Sequence, residues 1–177
     1  YGFRPNRSAH QAIKRAKDYY DEGYTQVVDI DLEKYFDTVN HDLLLDMLHE
    51  QISDKRVLRL IRAFLKSGVM VNGLVSESIK GTPQGGNLSP LLSNIYLTRF
   101  DRMLEERGHR FVRYADDCNI YVKSKRASQR VMDSCKQYLE GKLKLKVNKS
   151  KSRTASHLRA KFLGFSLYKL RSKTGTR

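Results

Sequence analysis

Tryptophan is absent from the 177 residues, cysteine occurs twice, proline three times, and acids number 19 against 34 lysines and arginines. Each scarcity excludes something. Two cysteines, Cys118 and Cys135, cannot build a disulfide framework or, unaided, a zinc site, so a reducing and cytoplasmic setting is expected. No run of about 18 apolar residues and no signal-peptide pattern occurs, which excludes a helical membrane span from the expected partners. The shortage of acids leaves a formal charge of +15 and a pI near 9.9. Charge of one sign along the whole chain favours a polyanion, and nucleic acid is the expected partner. With 40% hydrophobic residues and no repeat or linker, the chain is expected to fold as one domain over 1–177. Tyr rather than Met at position 1, and a basic end at Lys169 to Arg177, lead to the expectation that both ends are cut from a longer chain.

What is present reads as alternating helices and strands. Ser8 is placed to cap a helix carrying Ala9, Ala12, Ile13, Ala16 and Tyr20, which Gly23 can end. Thr25 to Asp31 reads as a strand, rich in Val and Ile, with Asp29 and Asp31 on one face. Asn40 and Asp54 are expected to cap two helices, the first with Leu44, Leu45 and Leu48 and the second with Val57, Leu60, Ile61, Phe64 and Leu65 as core, closed by Gly68. Asn72-Gly73 predicts a hairpin between Val69 and Val75. Ser89 as N-cap and Pro90 in the first turn start a helix that ends near Gly108. A further helix carries Ala127, Val131, Cys135 and Leu139, with Cys135 as a core residue. Leu143 to Val147 alternates like a strand with a basic outer face, Asn148 to Arg153 reads as a basic loop, and Lys161 to Tyr168 as a last strand.

Two features stand outside this scaffold. Gly81-Thr-Pro-Gln-Gly-Gly86 is a glycine-rich loop that permits close backbone or ligand approach, although a plain tight turn explains it as well. Phe111 to Lys123 consists of two apolar runs meeting at the adjacent carboxylates Asp116 and Asp117. Such a pair can be an ordinary solvated turn. It can equally await a counter-charge, most simply a divalent metal, because neighbouring carboxylates repel.

Asp31-Leu-Glu-Lys-Tyr-Phe-Asp37, Gly81-Thr-Pro-Gln-Gly-Gly86 with Leu88-Ser-Pro-Leu-Leu-Ser-Asn-Ile-Tyr-Leu97, and Tyr114-Ala-Asp-Asp117, in that order, resemble reverse transcriptases. Tyr1-Gly-Phe-Arg-Pro-Asn-Arg-Ser8, Leu143 to Lys151 and Phe162-Leu-Gly-Phe165 resemble the flanking blocks of the bacterial group II intron kind. The resemblance implies an α+β palm, an antiparallel sheet with helices packed on one face, plus partial fingers. Residues 1–28 and 40–90 would contribute fingers, 29–39 and 91–168 mainly palm, and 169–177 the start of a thumb. It implies an RNA-directed DNA polymerase that joins dNTP to a DNA primer 3′-hydroxyl on an RNA template, with two Mg²⁺ ions, for which Mn²⁺ can substitute. Asp31, Asp116 and Asp117 match the catalytic, metal-binding aspartates. Phe36 matches the side chain that blocks a ribose 2′-hydroxyl, Gln84 and Gly85 the loop against the incoming nucleotide, and Lys151 a lysine on the primer side. Asp29 matches no catalytic position.

Two alternatives stay open at this level. One is a maturase module that binds intron RNA without polymerising; the other is a retron or diversity-generating reverse transcriptase. Clustered acids facing a polyanion speak against pure binding. The chain lacks the upstream fingers block and stops where a thumb would begin, so the expectation is of a domain whose activity depends on a longer parent. Whether the chain forms a homodimer through the surface that such domains would cover is left open by the sequence. Cys118 and Ser152 depart mildly from the family pattern, which has a large apolar residue and Thr there.

Overall fold

The computed structural model describes residues 1–67, 69–71, 74–76, 80–82 and 86–167. The central pair of strands is β1 (Gln26–Ile30) and β5 (Asp117–Val122), flanked by β4 (Arg110–Tyr114) and β6 (Arg153–Ser156) in the order β4-β5-β1-β6. Every pairing is antiparallel. Because side chains alternate along a strand, register decides which residues share a face. The pairs Val28↔Ile120 and Ile30↔Cys118 point into the larger core. There they meet Leu44 of α3 (His41–His49), Leu92, Tyr96, Phe100 and Leu104 of α5 (Ser89–Glu106), and Leu139 of α6 (Lys125–Gly141). Burying each such side chain stabilises the fold by roughly 1.5–3 kcal/mol.

The opposite face carries Val27 and Tyr121, with Val112 of β4, against Ala12, Ala16 and Tyr19 of α1 (Ala9–Asp21). Ala160 and Phe162 complete this smaller core. The expected α+β architecture is therefore present, with most helices on one face and α1 covering part of the other. Its small alanines let α1 lie close to the sheet.

Helix starts follow local chemistry. Ser8 and Gln11 form a capping box, Asn40 Oδ1 accepts from Leu43 N (2.9 Å), and Asp54 Oδ1 accepts from Arg56 N (2.7 Å). Each such cap contributes about 1 kcal/mol. Ser89, expected as a cap, is instead the first helical residue, because Leu88 already has right-handed helical dihedrals and Pro90 occupies the first turn. In α1, Tyr19 rather than Tyr20 is the aromatic residue buried in the core.

Several expectations change. Leu143, Leu145 and Val147 are buried and the intervening lysines exposed, as alternation predicts, yet only the isolated bridge Leu32↔Val147 forms. Lys144 explains this, since its φ of 54° breaks an extended run. The expected last strand is a tight turn: Phe162 and Phe165 exchange both backbone hydrogen bonds (2.9 Å each) around Leu163 and Gly164, whose φ values are positive. The fourth strand is β6, which lies partly in the expected basic loop and has no apolar alternation to announce it. Val57 and Leu60 of α4 (Lys55–Lys66), expected in the core, are 41% and 73% exposed, since Leu65 is the residue of that stripe that becomes fully buried. The strands β2 (Val69–Val71) and β3 (Leu74–Ser76) pair with Val71 opposite Leu74. Gly68, Asn72-Gly73 and residues 168–177 lie outside the described residues.

Lys144→Gly is expected to raise the urea midpoint, by relief of about 1 kcal/mol of left-handed strain. The same change at Lys146, which is not in that region, is expected to lower stability by roughly 0.5–1 kcal/mol.

Candidate active site

Asp31 follows β1 directly, Asp116 sits in the two-residue turn between β4 and β5, and Asp117 opens β5. The β1–β5 register ends at Ile30↔Cys118, so one further step sets Asp31 opposite Asp117. Asp29 lies on the same face, opposite Asn119. The sheet thus gathers acids that are far apart in sequence at one end of the face against which α1 packs.

Their mutual field is visible in Asp117. Burial pushes its carboxyl up to about 6, and Asp29, Asp116 and Asp31 add to the shift in that order. Burial also raises Asp29, with the Arg153 guanidinium opposing and Asp31 reinforcing. Two cations supply partial compensation: Arg153 Nε lies 3.6 Å from Asp29, and Lys151 Nζ, on a side chain 68% exposed, lies 3.9 Å from Asp31. Among the described residues no three His, Cys, Asp or Glu side chains converge on one point that could hold a metal ion. The donor chemistry nevertheless fits a hard divalent cation, because the acids offer only carboxylate oxygens and Asp117 is penalised for carrying its charge without one.

The backbone under these acids is held from both sides. Asp31 N donates to Ser152 Oγ (3.0 Å), while Asn148 N and Ser152 Oγ donate to Asp31 O at 2.9 and 3.2 Å. The basic loop is therefore a brace for Asp31. On the core side, Arg113 is buried and forms a bidentate pair with Asp101 of α5, at 2.7 and 2.5 Å. Its Nη1 also donates to Ala115 O (2.6 Å) and Asn94 Oδ1 (3.0 Å), and Asn94 Nδ2 donates to Gly2 O (3.0 Å). Ala115 has a φ of 56°, a conformation that needs such support. Gly2 backs the turn so closely that a Cβ there would stand 2.6 Å from Ala115 N.

Phe36 lies in the short helix α2 (Tyr35–Thr38), half-buried, its ring 5.4 Å from Tyr35. The Tyr35 hydroxyl donates to Ser93 O (2.9 Å). Gly81, at φ 92°, docks on the same segment: Gly81 N donates to Val39 O (2.8 Å), Thr82 N to Phe36 O (2.6 Å), and a Cβ at Gly81 would be 2.7 Å from Phe36 O. The close approach that this glycine permits is to protein backbone. Gln84 and Gly85 lie outside the described residues.

Sequence reasoning named Asp31, Asp116, Asp117, Phe36 and Lys151 but missed Arg113, Asp101, Asn94 and Gly2, and treated Ser152 as a mild departure. A signal was present. Arg113 occupies an inward strand position and Asp101 follows the buried Phe100, and buried charges need partners. The thiols of Cys118 and Cys135 are buried, and burial pushes both upward in pKa, Cys135 to about 12.

Arg113→Met is expected to destabilise the protein by about 3–5 kcal/mol, because it strands Asp101; in urea unfolding, Asp101→Leu combined with it should recover much of the loss. For pH, the sign follows from Asp117: a carboxyl raised above its ordinary 3.8 in the folded state contributes stability below that value and loses it as pH rises through about 6. Without divalent metal, stability is therefore expected to fall across that window. Asp117→Asn should flatten the profile.

A family model described as reverse transcriptase (RNA-dependent DNA polymerase) matches residues 1–167. Protein YkfC of Escherichia coli (strain K12) is 36% identical, over 99% of this chain and 56% of its own length. The group II intron-encoded protein LtrA of Lactococcus lactis subsp. cremoris is 31% identical, over 98% of this chain and 40% of its own, in line with the group II resemblance. The chain thus spans about half the length of these relatives. Telomerase from Candida tropicalis, in complex with a fragment of telomeric RNA, superimposes with a TM-score of 0.67 at 16% identity, covering 89% of this chain and 31% of telomerase; the likeness is one of fold. With the model match covering nearly every residue, the chain belongs to the reverse transcriptase (RNA-dependent DNA polymerase) family.

Proposed function

We propose that this chain is the polymerising domain of a group II intron-type reverse transcriptase, with Asp31, Asp116 and Asp117 as its catalytic, metal-holding residues. The observation that carries the reading is the placement of Asp31 across the β1–β5 ladder from Asp117, with Asp117 raised to about 6 by burial and its acidic neighbours. Divalent-metal dependence follows from the family, and Mg²⁺ is the ion we assign. When bound, two such ions supply charge neutralisation at the attacking 3′-hydroxyl and the departing pyrophosphate.

The chain's own residues do the rest. Ser152 and Asn148 fix the Asp31 backbone, and Arg113 fixes the turn bearing Asp116, so the carboxylates meet their ligand without reorganising. Phe36, in the short helix α2 that follows Asp31 in the chain, is assigned the exclusion of a ribose 2′-hydroxyl. Gln84 and Gly85, following the docked Gly81, would pack against an incoming dNTP. Lys151 offers an exposed ammonium beside Asp31 for the phosphates of a primer paired to RNA. Residues 29–39 and 91–168 correspond to palm, and 1–28 and 40–90 to fingers.

In a chain extended at both ends to the length of its relatives, Asp116→Asn is expected to reduce primer extension on an RNA template to background while RNA affinity stays unchanged. Undiminished extension would remove Asp116 from the reaction. In the 177-residue chain, carbon-13 NMR should show the Asp117 carboxyl titrating near 6, and added Mg²⁺ should move it down. A titration insensitive to Mg²⁺ would count against the metal assignment independently of activity.

A further inference from the structure

The end of the β4–β5 hairpin opposite the acid turn has the reverse character. Tyr24, Val122, Ala127 and Val131 floor a hollow of about 410 Å³, lined also by His109, Arg110, Lys123 and Arg130. That volume suits a small ligand or one element of a larger one. Among the described residues no Asp or Glu lines it. Among the described residues, Arg110, Lys123 and Arg130 make no ion pair, whereas cations elsewhere, such as Arg113, Lys146 and Arg153, do. Lys123 Nζ rests 5.3 Å from the centre of the Tyr24 ring, and Arg107 donates to Ser134 Oγ at the rim. Burial and the Arg107 charge hold His109 below its ordinary pKa, so the positive charge at the hollow comes from Arg110, Lys123 and Arg130 rather than from its imidazole.

Cations around an apolar, aromatic floor are what a single strand of nucleic acid requires, phosphates on the rim and a base on the floor. A lipid surface fits less well, because anchoring there needs apolar groups that protrude, and these are recessed. The acid turn lies the length of five-residue β4 away, about 14 Å at ~3.4 Å per residue. Without metal its carboxylates repel phosphate.

We propose that this hollow is a second RNA-contact site, which holds a single-stranded RNA segment at the far end of the sheet from the acid turn and needs no metal to do so. The site goes beyond the polymerase reading and stands or falls separately from it.

The test is binding of a labelled ~12-nucleotide single-stranded RNA, within the range such sites cover, to the 177-residue chain in EDTA, followed by anisotropy against salt. Combined Arg110→Glu, Lys123→Glu and Arg130→Glu is expected to weaken binding at least about tenfold and to lower the salt slope by about 2–3. Asp116→Asn should leave this binding intact. Ultraviolet cross-links should map to Tyr24 or His109. Equal weakening by Lys55→Glu, Arg59→Glu and Lys66→Glu on α4 would overturn the proposal in favour of diffuse charge. Cross-links confined to the acid end would overturn it too, as would hollow-dependent binding to phosphatidylserine vesicles without RNA binding. Circular dichroism of the variants separates loss of the site from loss of the fold.

Discussion

Like-charge repulsion on one sheet face is the constraint from which most of this structure follows. The β1–β5 register sets Asp29, Asp31 and Asp117 on the same face, with Asp116 in the adjoining turn. Such a cluster persists only if the backbone beneath it cannot relax and if some charge opposes it. Rigidity comes from the sheet and from braces on either side. Opposing charge comes in part from Arg153 and Lys151, and the remainder is felt by Asp117, whose carboxyl is pushed towards neutrality.

The two braces differ in kind. Ser152 and Asn148 bind the main chain of Asp31 in an accessible loop, using groups that cost little to desolvate. Arg113 works from within the core, where a guanidinium is tolerated only because Asp101, Asn94 and the Ala115 carbonyl satisfy its donors. A buried ion pair adds little net stability compared with apolar packing, but it fixes geometry. Here it fixes a turn whose first residue has a positive φ and whose second is Asp116. Gly2, brought against the same turn, shows that the opening block of the chain is part of this support. Gly81 plays the corresponding role for the segment around Phe36.

Charge is also separated along the hairpin. One end carries the acids, whose negative charge repels phosphates, and the other carries Arg110, Lys123 and Arg130, which make no ion pair among the described residues. A chain with a formal charge of +15 has basic surface in many places. What distinguishes this end is a concave apolar floor with no carboxylate of the described residues on its lining.

Much of the site was legible in the sequence because its signals are local: a strand running into Asp31, two apolar runs meeting at Asp116 and Asp117, caps at Ser8, Asn40 and Asp54. These depend on short-range sterics and hydrogen bonding, which a sequence displays directly. Alternation also placed Leu143, Leu145 and Val147 inside. It could not say that Lys144 would adopt a positive φ and prevent a ladder, nor that the polar run Arg153–Ser156 would become β6, because pairing depends on what the neighbouring strand offers. Tertiary structure alone decided that Asp31 faces Asp117, that Asp101 meets Arg113, and that Ser152 reaches Asp31, since each joins residues distant in sequence through the register of an antiparallel sheet and the packing of α5 on it. The sequence by itself determined which chemical groups were available; the fold determined which of them share one small volume, and there burial and proximity change what those groups can do.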